Sequence, residues 1–186
     1  YYQQALTIRR AIGDKRGEGS TLNNLGKIYE SQQQDPQALE YYQQALTIRR
    51  AIGDKRGEGT TLTNLGEVYR NLGQYQEAFA AFQASITLNA MLGTLDTLWM
   101  AQRGIAAVEV QLHQPEAAIA HYEQALQNIE DLRAGLTEEE DKLSFMADKL
   151  YVYDELIDLL RTLHQTYPNK GYDHKALEIF ERKQGR

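Results

Sequence analysis

Residues 1–19 read YYQQALTIRRAIGDKRGEG, and residues 41–59 repeat the same nineteen letters 40 positions later. An internal period between twenty and fifty residues is the mark of a solenoid, in which each unit buries its apolar face against its neighbours. Such an architecture favours binding over catalysis. Residue 1 aligns with residue 41, in the middle of a unit, so the chain reads as a piece cut from something longer.

Outward from this block, Leu22, Leu25, Gly26 and Tyr29 fall at i, i+3, i+4 and i+7, one face of a helix, and Leu62, Leu65, Gly66 and Tyr69 repeat it. A second stripe runs through Ala38, Leu39, Tyr42, Ala45 and Leu46, and again through Ala78, Phe79, Phe82, Ser85 and Ile86. Between the stripes, Asp35-Pro36 has the form of an N-cap followed by proline at the first helical position. Gly13, Gly53 and Gly93 sit where each second helix should stop in a left-handed conformation. Asp14 and Asp54 follow directly and can cap the next helix. Each unit is therefore expected to be helix–turn–helix, with small residues (Gly26, Ala38, Gly66, Ala78) where two helices approach closely. A third unit is degenerate. Gly93, Leu112, Gln114, Ala118, Ile119, Tyr122, Ala125 and Leu126 keep register, while Ala106 stands for the glycine, Glu109 for the tyrosine, and Trp99 and Met100 add bulk.

From Thr137 the repeat is expected to disappear. Thr137-Glu138-Glu139-Glu140 has the form of a capping box. It predicts one long helix over 138–166, ended by Pro168. Leu143, Met146, Leu150, Tyr153, Ile157 and Leu160 form one apolar stripe, and Phe145, Val152, Leu156, Leu159 and Leu163 a second, so burial on two sides is expected. One side should cover helix 115–134. The other should meet helix 173–184, with Ala176, Leu177, Ile179 and Phe180 facing inward. The expected fold class is all-α, an α-solenoid of antiparallel helix pairs over 1–136, followed by a long helix and a terminal helix over 137–186.

The remaining chemistry is sparse. Cysteine is absent, which removes disulfides, thiolate metal sites and cysteine nucleophiles. No run of eighteen apolar residues crosses a membrane. Net charge is −6, with 10 Lys/Arg against 9 Asp/Glu over 1–92 and 10 against 17 over 93–186. The Arg9-Arg10, Lys15-Arg16, Arg49-Arg50 and Lys55-Arg56 pairs are interleaved with acids and form no basic stripe, so nucleic acid is not an expected partner. His113, His121, His164 and His174 lack metal-ligand spacing. The run Glu138–Asp141 lacks the form of a calcium loop and suits a helix N-terminus. Gly17-Glu18-Gly19 follows no strand and is too short for a phosphate loop. No nucleophile–base pair can be argued. The chain is expected to be no enzyme, with no metal or cofactor.

The pattern Leu22-x-x-Leu25-Gly26-x-x-Tyr29, then Ala38, Tyr42 and Ala45, resembles the tetratricopeptide repeat (TPR), here with a period of 40 rather than 34. The longer variety is similar to the repeats of kinesin light chain and spindle-orientation scaffolds. The segment 129–186, above all Gly171-Tyr172-Asp173…Ala176-Leu177-Glu178-Ile179…Glu181-Arg182, resembles the link between TPR arrays and caspase-like CHAT domains in bacterial proteins. The resemblance implies a cytoplasmic protein-binding arm whose partner is an extended peptide or a helix in a concave groove. It places Ser20, Asn23, Asn24, Lys27 and Glu30 of one unit, and Thr60, Thr63, Asn64, Glu67 and Arg70 of the next, toward that groove. Asn24 and Asn64 would pair with a peptide backbone through their amides. Helix 1–12 lacks a first-helix partner, leaving Ala5, Leu6 and Ile8 uncovered, so end-to-end self-association is also expected.

Overall fold

A computed structural model describes residues 1–185. Among them are ten α-helices: α1 (Tyr2–Ala11), α2 (Lys15–Ser31), α3 (Asp35–Ala51), α4 (Lys55–Asn71), α5 (Tyr75–Leu92), α6 (Leu95–Gln111), α7 (Pro115–Ala134), α8 (Glu139–Ala147), α9 (Leu150–Thr166) and α10 (Tyr172–Lys183). Helices consecutive in the chain pack on one another from α1 to α7, while α9 stacks on α7 and pairs with α10. The all-α solenoid expected from the period is what forms.

Each predicted breakpoint has a physical cause. Asp14 and Asp54 accept hydrogen bonds from the Gly17 and Gly57 amides at 2.8 and 3.1 Å, satisfying orphan N–H groups at the starts of α2 and α4. Beside each cap, an acid is held by two cations: Glu18 by Arg10 and Lys15 (2.8 Å each), and Glu58 by Arg50 (2.8 Å) and Lys55 (2.9 Å). Lys15 and Arg10 hold the Glu18 carboxyl below its ordinary value of 4.5. At Glu58 burial pushes upward, but hydrogen bonds from Arg50 and Lys55 prevail and its value is also lowered. A depressed carboxylate adds stability that is fully present above the unfolded value and is lost as pH falls through the folded one. Helicity should therefore hold at neutral pH and begin to fall below about pH 4.5. Glu18→Gln together with Glu58→Gln should flatten that acid limb in circular dichroism titrations.

The turn inside each unit puts one residue in the left-handed region: Gln33 (φ 58°), Gly73 (φ 72°) and His113 (φ 57°), each 40 residues apart. Side chains with a Cβ are strained there by about 1–2 kcal/mol, offset in part by glycine's greater entropy when unfolded. Gln33→Gly is expected to stabilise by about 0.5–1 kcal/mol, read as a rise of about 1–4 °C in melting temperature.

Gly171 (φ 72°) extends this series and exposes a unit that the 40-residue period conceals. It stands 58 residues beyond His113. In register with this shift, and 138 residues beyond the first unit, Leu160-x-x-Leu163-His164-x-x-Tyr167 reproduces Leu22-x-x-Leu25-Gly26-x-x-Tyr29, and Asp173-x-x-Ala176-Leu177-Glu178-x-Phe180 reproduces Asp35-x-x-Ala38-Leu39-Glu40-x-Tyr42. The stacking agrees. Lys170 and Tyr172 reach Glu116 (3.5 and 3.4 Å), Lys175 reaches Glu123 (2.9 Å) and Arg182 reaches Glu130 (3.0 Å), so α10 lies along α7 as α3 lies along α1. Helices α9 and α10 are a fourth helix pair, and the 18 added residues (58 against 40) are housed in a longer α7 and in α8.

Four expectations are corrected. The helix predicted over 138–166 is two helices, broken at Asp148–Lys149, because α9 belongs to the fourth pair and α8 to the inserted segment. Neither Asp35 nor Thr137 caps a helix: α3 already includes Asp35, and the residue before α8 is Glu138, without a side-chain cap. In α10, Ala176 and Ile179 are buried, but Leu177 is 57% and Phe180 44% exposed. The cause at Phe180 is its partner. Tyr42 lies against Gly26, and Phe82 is clasped between Gly66 and Gly104, where an added Cβ would fall within 2.6 Å of the ring. In the fourth pair the corresponding residue is His164, too large to admit an aromatic ring.

The second and third junctions show a coordinated exchange. Buried Arg49 donates to the Gly57 carbonyl and to the Thr61 hydroxyl (2.7 Å). Forty residues on, Asn89 replaces it, Ser85 replaces Ala45, Thr63 replaces Asn23 and Thr94 replaces Asp54. These four form their own buried network, with Thr63 to Ser85 at 2.7 Å, Asn89 Nδ2 to Ser85 Oγ at 2.9 Å and Thr94 to Asn89 Oδ1 at 2.6 Å. One long cation and a set of short polar groups fill the same space, although Arg49 Nε, 4.0 Å from Asp54, is buried without a hydrogen bond.

Candidate functional site

Even-numbered helices α2, α4 and α6, followed by α9, line one face of the array, each contributing side chains that reach the next. Asn64 Nδ2 donates to Asn23 Oδ1 at 3.1 Å, and Thr61 donates to the same oxygen at 3.3 Å. Asn23 and Thr63 are only 3% and 4% exposed. Both were expected in the groove, and both lie instead between layers. Their polar atoms are consumed by the stacking: Asn23 by α4, Thr63 by Ser85 and the Gly59 carbonyl. Asn24 is exposed, and Asn64 is half-buried with one amide hydrogen committed to Asn23.

Lys27, Glu67 and Arg70 remain on the open face. Lys27 is exposed and forms no ion pair among the described residues. Arg70 grips Glu67 through Nε and Nη2 at 3.0 and 2.7 Å, and its side chain keeps 30% exposure. The other oxygen of Glu67 takes Nη1 of Arg103 at 3.3 Å. Arg103 then reaches α9, where Nε donates to Glu155 at 2.8 Å and Nη2 donates to its second oxygen. The guanidinium also lies 5.4 Å from the centre of the Tyr151 ring. The result is a strip Arg70–Glu67–Arg103–Glu155 running across three units.

The electrostatics of the strip are uneven. Burial works against the Arg103 charge, but Glu155 and Glu67 outweigh it and hold the guanidinium protonated well beyond its ordinary range. Burial, then Glu155, raises the Tyr122 phenol. At the other end, Glu30 is raised by burial, opposed by the Tyr42 hydroxyl that donates to it at 2.7 Å, and raised further by Glu67 and Asp35. The Tyr42 phenol is pushed up by burial and by Glu30. The half of the face on α4, α6 and α9 is thus internally neutralised, while Lys27 and Glu30 on α2 have no ionic partner among the described residues.

Arg103, Glu155 and Tyr151 were not anticipated on this face. Arg103 occupies the repeat position of Asn23 and Thr63, but its length carries the charge out of the layer. Glu155 and Tyr151 could have been found only by recognising Leu160-x-x-Leu163-His164-x-x-Tyr167 as a displaced copy of the repeat. His121 pairs with Glu109 at 2.8 Å, and His113 is exposed in a turn. Among the described residues no cluster of His, Cys, Asp and Glu is placed to hold a metal, and no helix is long and apolar enough to cross a membrane.

The stacked helix pairs with an aromatic ring seated on a small residue correspond to a known family: the tetratricopeptide repeat profile matches residues 1–51 and 57–131. The chain belongs to the tetratricopeptide repeat family. Three solved structures share this fold. BtubC (BKLC) from P. vanneervenii is 16% identical with a TM-score of 0.77, covering 100% of this chain and 72% of that one. A putative kinesin light chain with nearly identical TPR-like repeats from Podosopora anserina is 17% identical with a TM-score of 0.67, covering 98% and 83%. A signal-transduction ATPase with a tetratricopeptide repeat sensor from Pyrococcus horikoshii is 20% identical with a TM-score of 0.64, covering 92% of this chain and 27% of that one. No curated protein matches the sequence. At these identities the likeness is one of fold. The TPR fold is that of a protein–protein interaction scaffold, and its partners are proteins.

Proposed function

We propose that this TPR array receives an extended peptide or a helix along its first-helix face, as the regulatory arm of a larger protein bearing a caspase-like domain. The observation that carries the binding reading is the open, unneutralised part of that face. Lys27 is exposed and forms no ion pair among the described residues, Glu30 takes only the Tyr42 hydroxyl and the through-space pull of Lys27, and Arg70 and Asn24 border them. A peptide with paired acidic and basic side chains would meet both charges. Charge-assisted hydrogen bonds of this sort are about twice as strong as neutral ones. Support for the regulatory half comes from the run Gly171–Arg182 and its resemblance to CHAT-linked arrays. The Pyrococcus protein, which carries a repeat sensor on a signalling ATPase, offers a parallel division of labour. A second reading, a free-standing adaptor, is favoured by the fold likeness to the putative kinesin light chain. The two differ in what the gene encodes after Arg186: the regulatory arm requires a segment with the His and Cys of a caspase-like domain.

The binding reading is tested by selecting peptides from a displayed random library on the 186-residue chain and titrating them. Lys27→Glu and Arg70→Gln are each expected to weaken the selected peptides at least tenfold, and Asn24→Ala with Asn64→Ala to weaken them less. Gln83→Ala, on the opposite helices, should leave binding unchanged. Peptides that bind all of the face variants as they bind the parent would remove the groove from the reading.

A further inference from the structure

At each junction the first helix of the new unit lies on the second helix of the unit before: α4 on α3, α6 on α5 and α9 on α7. Near the intra-unit turn, two side chains of that first helix fill the space between them. They are Val68 and Leu72 in the second unit, and Val108 and Leu112 in the third. Val68 and Val108 are both 0% exposed, and Tyr75 of α5 packs into the same cluster as Val108 and Leu112. The fourth pair lacks these fillers. Thr166 and Lys170 stand 58 residues beyond Val108 and Leu112, Pro115 stands 40 residues beyond Tyr75, and Thr166 is exposed. Pro168 adds a second cause, because proline cannot continue a helix and disfavours helical backbone at the residue before it. Helix α9 therefore ends at Thr166, where the register of α6 would carry it to residue 169.

The result is a crevice of about 710 Å³ between the α6–α7 turn and α9. Val110 and Pro115 form one apolar wall, and Leu159, Leu163 and the Tyr167 ring form the other. Both walls belong to helices that face each other within the array, so the opening is a property of this junction. The polar groups around it are already committed. Lys170 Nζ lies 3.5 Å from a Glu116 carboxylate oxygen and 4.9 Å from the centre of the Tyr167 ring. The same carboxylate accepts from the Tyr172 hydroxyl at 3.4 Å. The hydroxyls of Thr162 and Thr166 turn to their own helix, donating to the carbonyls of Asp158 (2.8 Å) and Thr162 (3.4 Å).

We infer that this crevice is a docking site for an uncharged aromatic or leucine side chain presented by a protein partner. The array itself supplies the precedent for the occupant. At the preceding junction the same space is taken by Tyr75, Val108 and Leu112, a phenol ring and two aliphatic groups. A partner side chain inserted here meets the apolar walls that those residues cover elsewhere. An ion is disfavoured, because it would have to break the Lys170–Glu116 pair. The partners of a TPR scaffold are proteins, and a ring seated in a dry pocket is the kind of anchor that dominates protein interfaces. The crevice shares no residue with the Arg70–Glu67–Arg103–Glu155 strip or with Lys27 and Glu30, so it stands apart from the peptide reading of the open face.

Methyl NMR of the 186-residue chain, titrated with capped amino acids, tests it. Nα-acetyl-tyrosinamide and Nα-acetyl-leucinamide are expected to shift the methyl signals of Val110, Leu159 and Leu163 saturably. The charged probes Nα-acetyl-lysinamide and Nα-acetyl-glutamate should leave them in place. Thr166→Val with Lys170→Leu restores the fillers of the third unit and should weaken the tyrosine probe at least tenfold. Thr162→Glu, at an exposed position on the wall, should do the same while leaving the filler positions untouched. Circular dichroism should report parental helicity for both variants. Tyrosine or leucine probes that bind the refilled chain as they bind the parent overturn the inference. So do charged probes that shift the same methyls equally, which would mark an ion site. A short alanine–glycine peptide with a central tyrosine should bind at least as tightly as the capped residue; its exclusion would leave room only for a free small molecule and overturn the partner. Sedimentation supplies the last arm: an oligomer of the parent that the refilled chain loses would assign the crevice to a second copy and overturn the partner as well.

Discussion

Phe82→Ala is expected to destabilise the protein by about 3–5 kcal/mol, the range for deleting a fully buried aromatic side chain. Phe180→Ala, at the same place in the repeat, should change stability by less than about 0.5 kcal/mol, as exposed substitutions usually do. The contrast follows from what each ring touches. Phe82 is 0% exposed and lies between Gly66 of its own unit and Gly104 of the next, so its loss opens a void shared by α4, α5 and α6. Neither glycine has a side chain that can move into the space, and the site cannot collapse cheaply. Phe180 is 44% exposed and excluded from its seat by His164. Urea denaturation followed by helicity should separate the two variants clearly. A Phe82→Ala protein that unfolds at the parent's midpoint would refute the clasp.

The close approach of helices at Gly26 and Gly66 was legible in the letters, because small residues recur there with the 40-residue period; that the Tyr42 and Phe82 rings fill the space was not. The fourth pair escaped for two reasons that are both physical. Eighteen inserted residues shift it out of period, and His164 replaces the small residue by which a unit is recognised. Polar positions were the other blind spot. Asn23 projects onto the open face by helical arithmetic, yet stacked helices approach closely enough for Asn64 and Thr61 to satisfy its carbonyl inside the layer. Arg103, at the equivalent position, reaches beyond the layer because its side chain is longer. Helical phase says which way a residue points; side-chain length decides whether it emerges.

Arg103→Ala is the second large expectation. Its guanidinium joins Glu67 of α4 to Glu155 of α9 and lies beside Tyr151, with its own side chain 19% exposed. Removing it leaves Glu155 without a cation and Glu67 with Arg70 alone. Breaking a fully buried pair costs about 3–5 kcal/mol. Because Glu155 keeps 29% exposure, solvent screening reduces this to about 1–3 kcal/mol. The loss should appear first where the fourth pair meets the third. Trp99, the single tryptophan, packs in that cluster with Tyr153 and Leu156 and reports on it directly. Its fluorescence should change at lower urea than overall helicity does, whereas parent transitions by the two probes should lie closer together. Coincident, unshifted transitions in the variant would show that Arg103 does not couple the units.

The two identical nineteen-residue blocks are an internal control on what a sequence owns and what it borrows. Their caps and ion pairs form alike in both copies, with Arg10–Glu18 and Arg50–Glu58 each at 2.8 Å. Their protection does not: Arg9 is 40% exposed and Arg49 is 9% exposed, although the letters around them are the same. In a linear array, cohesion is a nearest-neighbour quantity, and an interior helix receives it from two sides while a terminal one receives it from one. The same letters are therefore guarded differently in α1 and in α3, and what surrounds a helix, rather than its own residues, sets how well its ion pairs are shielded from water.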